Sequence, residues 1–222
     1  MKTKHPKPLI IDYRKNIKSL LTKPFVDNDF ESYFRYVAGH ERQDVFALLK
    51  DYIPEEQYWK ILSNVITEES FYNKDLKRWL TDKKNLSNRH LLMKDNEKKE
   101  LNKLPEIVSI YRGEGNNRKG WSWTISKKVA MKFAKRHLLG KLLTGECEKR
   151  NIIAFINGRK EQEIIVPFRY VRSITVLQKY NLDDFTAPSD TISRKNELYQ
   201  QNGRQSIYVD VTKEILSEIN EQ

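Results

Sequence analysis

Apolar residues recur at helical spacing through the first part of the chain. Val45, Leu48 and Leu49 mark one stripe over residues 44–50. Tyr58, Trp59, Leu62 and Ile66 mark a second over 55–66. The spacing predicts two amphipathic helices. Pro54 and the Glu55-Glu56 pair suit the start of the second, since carboxylates favour the positive end of the helix dipole. Phe71, Leu76, Trp79 and Leu80 extend the pattern over 68–80, whereas 81–103 is rich in lysine and asparagine and reads as a polar connection before Pro105.

The texture changes at Ile107. Residues 107–111 are β-branched and aromatic enough to predict a strand. Gly113, Gly115, Asn116, Asn117 and Gly120 then mark a flexible loop. A short strand over 121–125 leads into a helix over 127–139, with the Ser126 hydroxyl placed to cap its first turn. Val129, Ala130, Phe133, Ala134 and Leu138 form its apolar stripe, and two alanines one turn apart let it pack close to a sheet. Further strands are expected over 151–157, 163–167, 170–177 and 206–211, the last followed by a helical turn or two. The pattern predicts an α+β protein, with a helical region over 1–105 and a strand-dominated core over 106–222.

Composition narrows the class. The chain has 222 residues, 38% apolar and 32% charged, enough to bury a core without covalent staples. It contains no apolar run of about 18 residues, so no membrane span is expected. Met1 to Ile11 has lysines but no apolar stretch of the kind a signal peptide needs. One cysteine, Cys147, fits a reducing, cytoplasmic setting. His5, His40, His90 and His137 are scattered, and no metal site is expected.

The net charge of +11 is uneven. Residues 106–180 hold 16 Lys+Arg against 6 Asp+Glu, whereas 181–222 hold 4 against 8. A positive field over the central segment attracts phosphates, on a small ligand, on nucleic acid or through an acidic protein partner.

Three short pieces in that segment carry candidate chemistry. Tyr111-Arg112-Gly113 ends the first strand, placing a fork of N–H donors at the mouth of a sheet, suited to a pyrophosphate or carboxylate. Gly113 lets a ligand approach the backbone closely. In Ser122-Trp123-Thr124 the two hydroxyls alternate onto one face, with Trp123 opposite. Glu161-Gln162-Glu163 abuts the apolar run Ile164-Ile165-Val166-Pro167. If the strand starts near Glu161, both carboxylates share a face about 7 Å apart along it. With 18 glutamates in the chain, one or two Glu-x-Glu triplets arise by chance. The other, Glu146-Cys147-Glu148, reads as a solvated loop. Two acids at the edge of a buried strand are costly unless functional or paired, so position favours Glu161 and Glu163.

In this order the pieces resemble the R-S-E class of mono-ADP-ribosyltransferases, the group with cholera-toxin-like and clostridial-type enzymes. The resemblance covers residues 107–180. Gly120-Trp121-Ser122-Trp123-Thr124 with Ala130-x-x-Phe133-Ala134 is similar to the small stand-alone bacterial and phage members. The family's middle motif is Ser-Thr-Ser, and here it is Ser122-Trp123-Thr124. The resemblance implies a mixed β-sheet core and NAD as co-substrate. It implies that Arg112 grips the NAD phosphates and the Gly113 backbone holds the nicotinamide amide. Ser122 would orient Glu163, Thr124 would support the sheet geometry, Glu163 would hold the ribose 2′-hydroxyl and Glu161 would act on the acceptor.

A toxin-like transferase is therefore expected, with protein arginine or an RNA or DNA base as acceptor and an acidic antitoxin or immunity protein as a further partner. Two rivals stand beside it. An NAD glycohydrolase would use water as acceptor. A non-enzymatic nucleic-acid-binding protein would use the lysines and aromatics but leaves the ordered Arg, Ser and Glu positions without a role.

Overall fold

The computed structural model describes residues 8–68, 74–81, 83–115, 119–185 and 206–221. Phe71, Asn116 and Asn117 lie outside them, as does His5. The chain forms two compact units, Met1–Ser70 with Arg204–Gln222, and Phe71–Gly203. The boundaries differ from the 105/106 division expected from the sequence at both ends, for reasons visible in the packing.

The first unit is helical. It contains α1 (Pro8–Val26), α2 (Phe30–Tyr36), α3 (Arg42–Leu49) and α4 (Glu55–Glu68), with a 3-10 turn at Gly39–Glu41. The start of α2 is capped by a side chain that accepts from one of its otherwise unpaired N–H groups. Asp29 accepts from the Ser32 backbone at 3.0 Å. The Pro54 carbonyl accepts from Tyr58 at 3.0 Å. The core is aromatic: Phe46 and Tyr58 lie 5.3 Å apart between ring centroids, and Tyr58 meets Trp59 edge-on at 5.3 Å.

The strand expected over 206–211 is instead the start of a helix, Ile207–Asn220, which in chain order is the last described and is labelled α8 below. Ile207, Val209 and Val211 carry strand propensity, but Val211, Thr212 and Ile215 share a helical face, and that face is buried. Tertiary burial outweighs β-branched preference. Contacts from α1, α2 and the Gly39–Glu41 turn tie this helix into the first unit. The Tyr33 and Thr212 hydroxyls are 2.8 Å apart, Val209 N donates to Glu41 at 3.0 Å, and Arg14 pairs with Glu214.

The second unit holds α5 (Lys74–Trp79), a 3-10 segment (Lys83–Leu92), α6 (Asp95–Lys103), and then the sheet. The polar connection expected over 81–103 thus contains α6. Its buried anchor is Glu97, 3% exposed, which accepts from Lys94 N at 2.9 Å and from Asn157 N at 2.7 Å. Leu101 and Leu104 pack against the sheet's core, which is why α6 belongs with the strands.

The sheet comprises β1 (Ile107–Glu114), β2 (Ser122–Thr124), β3 (Lys141–Glu148), β4 (Ala154–Ile156), β5 (Glu163–Ile165) and β6 (Arg172–Lys179). Their order is β4-β5-β2-β1-β3-β6. Every pairing among them is antiparallel, so the sheet is not mixed as expected. The architecture is α+β. One face buries Val108, Ile110, Trp123, Leu143, Cys147 and Ile164. The other receives α7 (Lys127–Ala134), through Ala130 and Ala134 against Leu142 and Tyr180. Ser126 caps α7 by accepting from Val129 N at 3.4 Å. The helix stops at Ala134, short of the expected 139, and Leu138 is exposed.

The sequence reading placed Glu146-Cys147-Glu148 in a loop. It forms the end of β3, a central strand paired with β1 along its whole length. Among the described residues no helix is long and apolar enough to cross a membrane, and no cluster of His, Cys, Asp and Glu is grouped to hold a metal ion.

Candidate functional site

The site is assembled by β-pairing across long stretches of sequence. Antiparallel pairing sets Ser122 opposite Ile165, Trp123 opposite Ile164 and Thr124 opposite Glu163. Because side chains alternate, Trp123 and Ile164 go into the core together, and Ser122, Thr124 and Glu163 share the other face. Ser122 Oγ donates to Glu163 Oε1 at 2.5 Å. That bond spans 41 residues of sequence and fixes a carboxylate only 4% exposed. A hydrogen bond to a carboxylate is charge-assisted and among the stronger ones available to a side chain.

Arg112, near the end of β1, joins the same strand from its edge. Its guanidinium Nη1 donates to the Ser122 carbonyl. Gly120 makes this possible, since a Cβ there would sit 2.0 Å from Arg112 Nη2. Gly120, expected as loop punctuation and as the first residue of the Gly120-to-Thr124 pattern, is thus a site residue as well. Gly113 acts differently from the expectation that a ligand approaches it. A Cβ there would lie 2.3 Å from Ala134 N and 2.5 Å from Ala130 O, so the close approach at Gly113 is made by α7.

Thr124 is a splice. Its hydroxyl donates to the Glu161 carbonyl at 2.7 Å and accepts from Ser126 N at 3.0 Å, joining the loop before β5 to the start of α7. Ile125 N reaches the Gln162 carbonyl at 3.3 Å.

Glu161 does not lie on a strand. The strand β5 begins at Glu163, and Gln162 has φ 48, in the left-handed region. The regular strand spacing expected for the two carboxylates therefore does not apply. They are brought together by a third residue, Arg159. Its Nε lies 3.0 Å from Glu161 Oε2, and its Nη2 lies 3.8 Å from Glu163 Oε2. Sequence reasoning missed Arg159. The available signal was a cation two and four residues before the two glutamates, just after Asn157-Gly158, a turn pair.

A further cation touches the segment just before β2. Lys77 lies over the Trp121 ring at 5.7 Å from its centroid and donates to the Lys119 carbonyl at 3.3 Å. Away from the site, Cys147 is 3% exposed. Burial pushes its thiol up to about 11, which makes it a packing residue and not a nucleophile.

Of the six residues singled out from the sequence, Arg112, Ser122, Thr124, Glu161 and Glu163 are joined by hydrogen bonds or by Arg159, and Gly113 serves packing. The assembly offers an oriented guanidinium, a buried carboxylate with its hydroxyl partner, and a second carboxylate, 24% exposed. Such a set suits a ligand with anionic groups at one end and a developing positive charge at the other. No protein-family profile, curated protein or solved structure matches the chain.

Proposed function

We propose that the chain is an NAD-dependent mono-ADP-ribosyltransferase of the toxin-like kind. The observation that carries this reading is the Ser122–Glu163 hydrogen bond at 2.5 Å, which unites two of the three sequence pieces with no intervening residue. The Arg112 contact to the Ser122 carbonyl brings in the remaining one.

The residues present fit the dinucleotide. Arg112 supplies a planar fork for phosphate, with one donor fixed on Ser122 O to set its plane. NAD supplies a ribosyl group whose bond to nicotinamide breaks with positive charge developing at the sugar. Glu163, buried and oriented, accepts from the ribose 2′-hydroxyl and stabilises that charge. Ser122 keeps the carboxylate from turning away. Glu161, the more exposed of the two, faces the acceptor.

The acceptor favoured by this arrangement is a guanidinium, as in a protein arginine, over a nucleic-acid base. The support is that Glu161 already carries a guanidinium, that of Arg159, at 3.0 Å.

The test is nicotinamide release and label transfer from radioactive NAD, with and without cell lysate. Glu163→Gln should lower both by at least ~100-fold, the usual effect of losing one preorganised contact, with the folded state intact. Transfer close to that of the unaltered chain in this variant sinks the assignment. Label removed by protease points to protein, and label removed by nuclease points to a base. Nicotinamide release with no labelled macromolecule identifies a glycohydrolase.

A further inference from the structure

Between Glu114 and Glu146 the chain has eight Lys or Arg and no Asp or Glu. Five of the eight lie on α7 or directly after it: Lys127, Lys128, Lys132, Lys135 and Arg136. Ala130 and Ala134 turn the apolar side of α7 to the sheet, which leaves Lys127, Lys128, Lys132 and Arg136 exposed. Among the described residues none of the five pairs with a carboxylate. Lys135 lies over the Tyr180 ring at 5.6 Å from its centroid, and Arg136 over Phe133 at 4.9 Å.

The other helices of the same unit treat their cations differently. Arg78 pairs with Asp75 at 3.3 Å, Lys98 with Asp95 at 3.1 Å and Lys103 with Glu100 at 2.6 Å. Those helices also carry acids in their first turns, Asp75 in α5 and Asp95 with Glu97 in α6. The first turn of α7 has no acid and begins on Lys127 and Lys128, at the positive end of the helix dipole. Lys128 and Lys132, one turn apart, repel each other. Each of these features costs the fold a little and is not offset within it. A concentrated positive face of this kind is neutralised by an anion from outside.

We propose that the exposed face of α7 binds the sugar-phosphate backbone of a nucleic acid. This goes beyond the reaction proposed above and leaves its acceptor as stated, because backbone contacts position a nucleic acid and carry no base identity. Composition favours this partner over two others. Protein interfaces are depleted in lysine, whereas nucleic-acid interfaces are strongly positive, and four of the five cations here are lysines. A helix that lies in a membrane surface inserts its apolar face. That face of α7 is packed on the sheet, with Leu138 and Leu139 exposed in the turn after it.

The test is fluorescence anisotropy of a labelled mixed-sequence single-stranded RNA and of a labelled DNA duplex. Each is titrated with the full chain, without NAD, over a series of salt concentrations. Binding of either nucleic acid supports the proposal, and RNA affinity should fall with salt with a logarithmic slope of about −3 if about four phosphates are neutralised. Lys127→Gln with Lys128→Gln and Lys132→Gln should weaken RNA binding about tenfold or more at low salt and make the slope shallower by about 2. The same loss of charge from α5 and α6, by Arg78→Gln with Lys98→Gln and Lys103→Gln, should leave binding within about threefold. Equal losses in the two variants would assign binding to net charge and overturn the proposal. The α7 variant should also unfold at the same or a higher urea concentration, since it loses repulsion and no contact. A lower midpoint would make these lysines structural and count against the proposal. Two further results would overturn it: displacement of RNA by polyglutamate as readily as by unlabelled RNA, which marks an acidic protein, and sedimentation with phosphatidylserine vesicles without RNA binding, which marks a membrane.

Discussion

The chain contains the same triplet twice. Glu146-Cys147-Glu148 ends β3, and Glu161-Gln162-Glu163 leads into β5. Both lie at strands of one sheet, yet their side chains are turned opposite ways. In the first, the middle residue is buried, and Glu146 is exposed while Glu148 pairs with Arg150 at 2.5 Å and Arg172 at 3.5 Å. In the second, the middle residue is exposed and Glu163 is buried. The flanking acids are the same; what differs is the middle residue, an apolar Cys147 against a polar Gln162, and with it the face each triplet turns to the core. Glu163 is the distinctive carboxylate, buried and held by a hydroxyl from its partner strand, whereas Glu148 is half-buried and meets Arg150 and Arg172.

Removing the acids of each triplet in turn separates their roles most directly. Glu146→Gln with Glu148→Gln should leave label transfer within about twofold of the unaltered chain, against the at least ~100-fold loss for Glu163→Gln. Equal losses in both would mean that the acids act through overall charge.

The next effect concerns the frame that holds the second triplet. Gly113→Ala forces a Cβ into the α7 backbone and should lower stability by about 1–3 kcal/mol, the usual cost of overpacking. Urea unfolding followed by circular dichroism measures it. An unchanged midpoint would show that α7 yields freely.

The smallest effect sharpens the orientation itself. At pH 8 Cys147 should resist alkylation in the folded chain and react on unfolding, since burial holds its thiol up to about 11. A cysteine introduced by Gln162→Cys should react readily while the chain is folded. Rapid alkylation of both sites would contradict the opposed faces.

Much of this was legible in the sequence because it rested on periodicity. The stripes of α3 and α4 and the Ser126 cap follow from residue spacing alone. So do the strand positions of Arg112, Ser122 and Glu163. The misses have physical reasons. In β3 the apolar signal stops at Leu142-Leu143, and Gly145 and two glutamates interrupt it, although Cys147 is core. The helix α6 is anchored by a glutamate, which no hydrophobic pattern reports. The C-terminal helix α8 carries β-branched residues whose helical face is set by long-range burial. Arg159 stands beside the two glutamates in the sequence, but its bridge between them depends on a loop in which Lys160 and Gln162 adopt left-handed backbone, which spacing does not report.

The first unit is discontinuous: α8 completes it, but residues 71–203 intervene. On a chain made from its N-terminus, this has a consequence in time. The second unit, with every proposed catalytic residue, is fully synthesised before the partners of Tyr33, Glu41 and Arg14 exist. Domains tend to fold as they emerge, so the sheet has its full sequence while the helical unit still lacks a wall. Whatever α8 contributes to the helical unit arrives only after every strand of the sheet has been made.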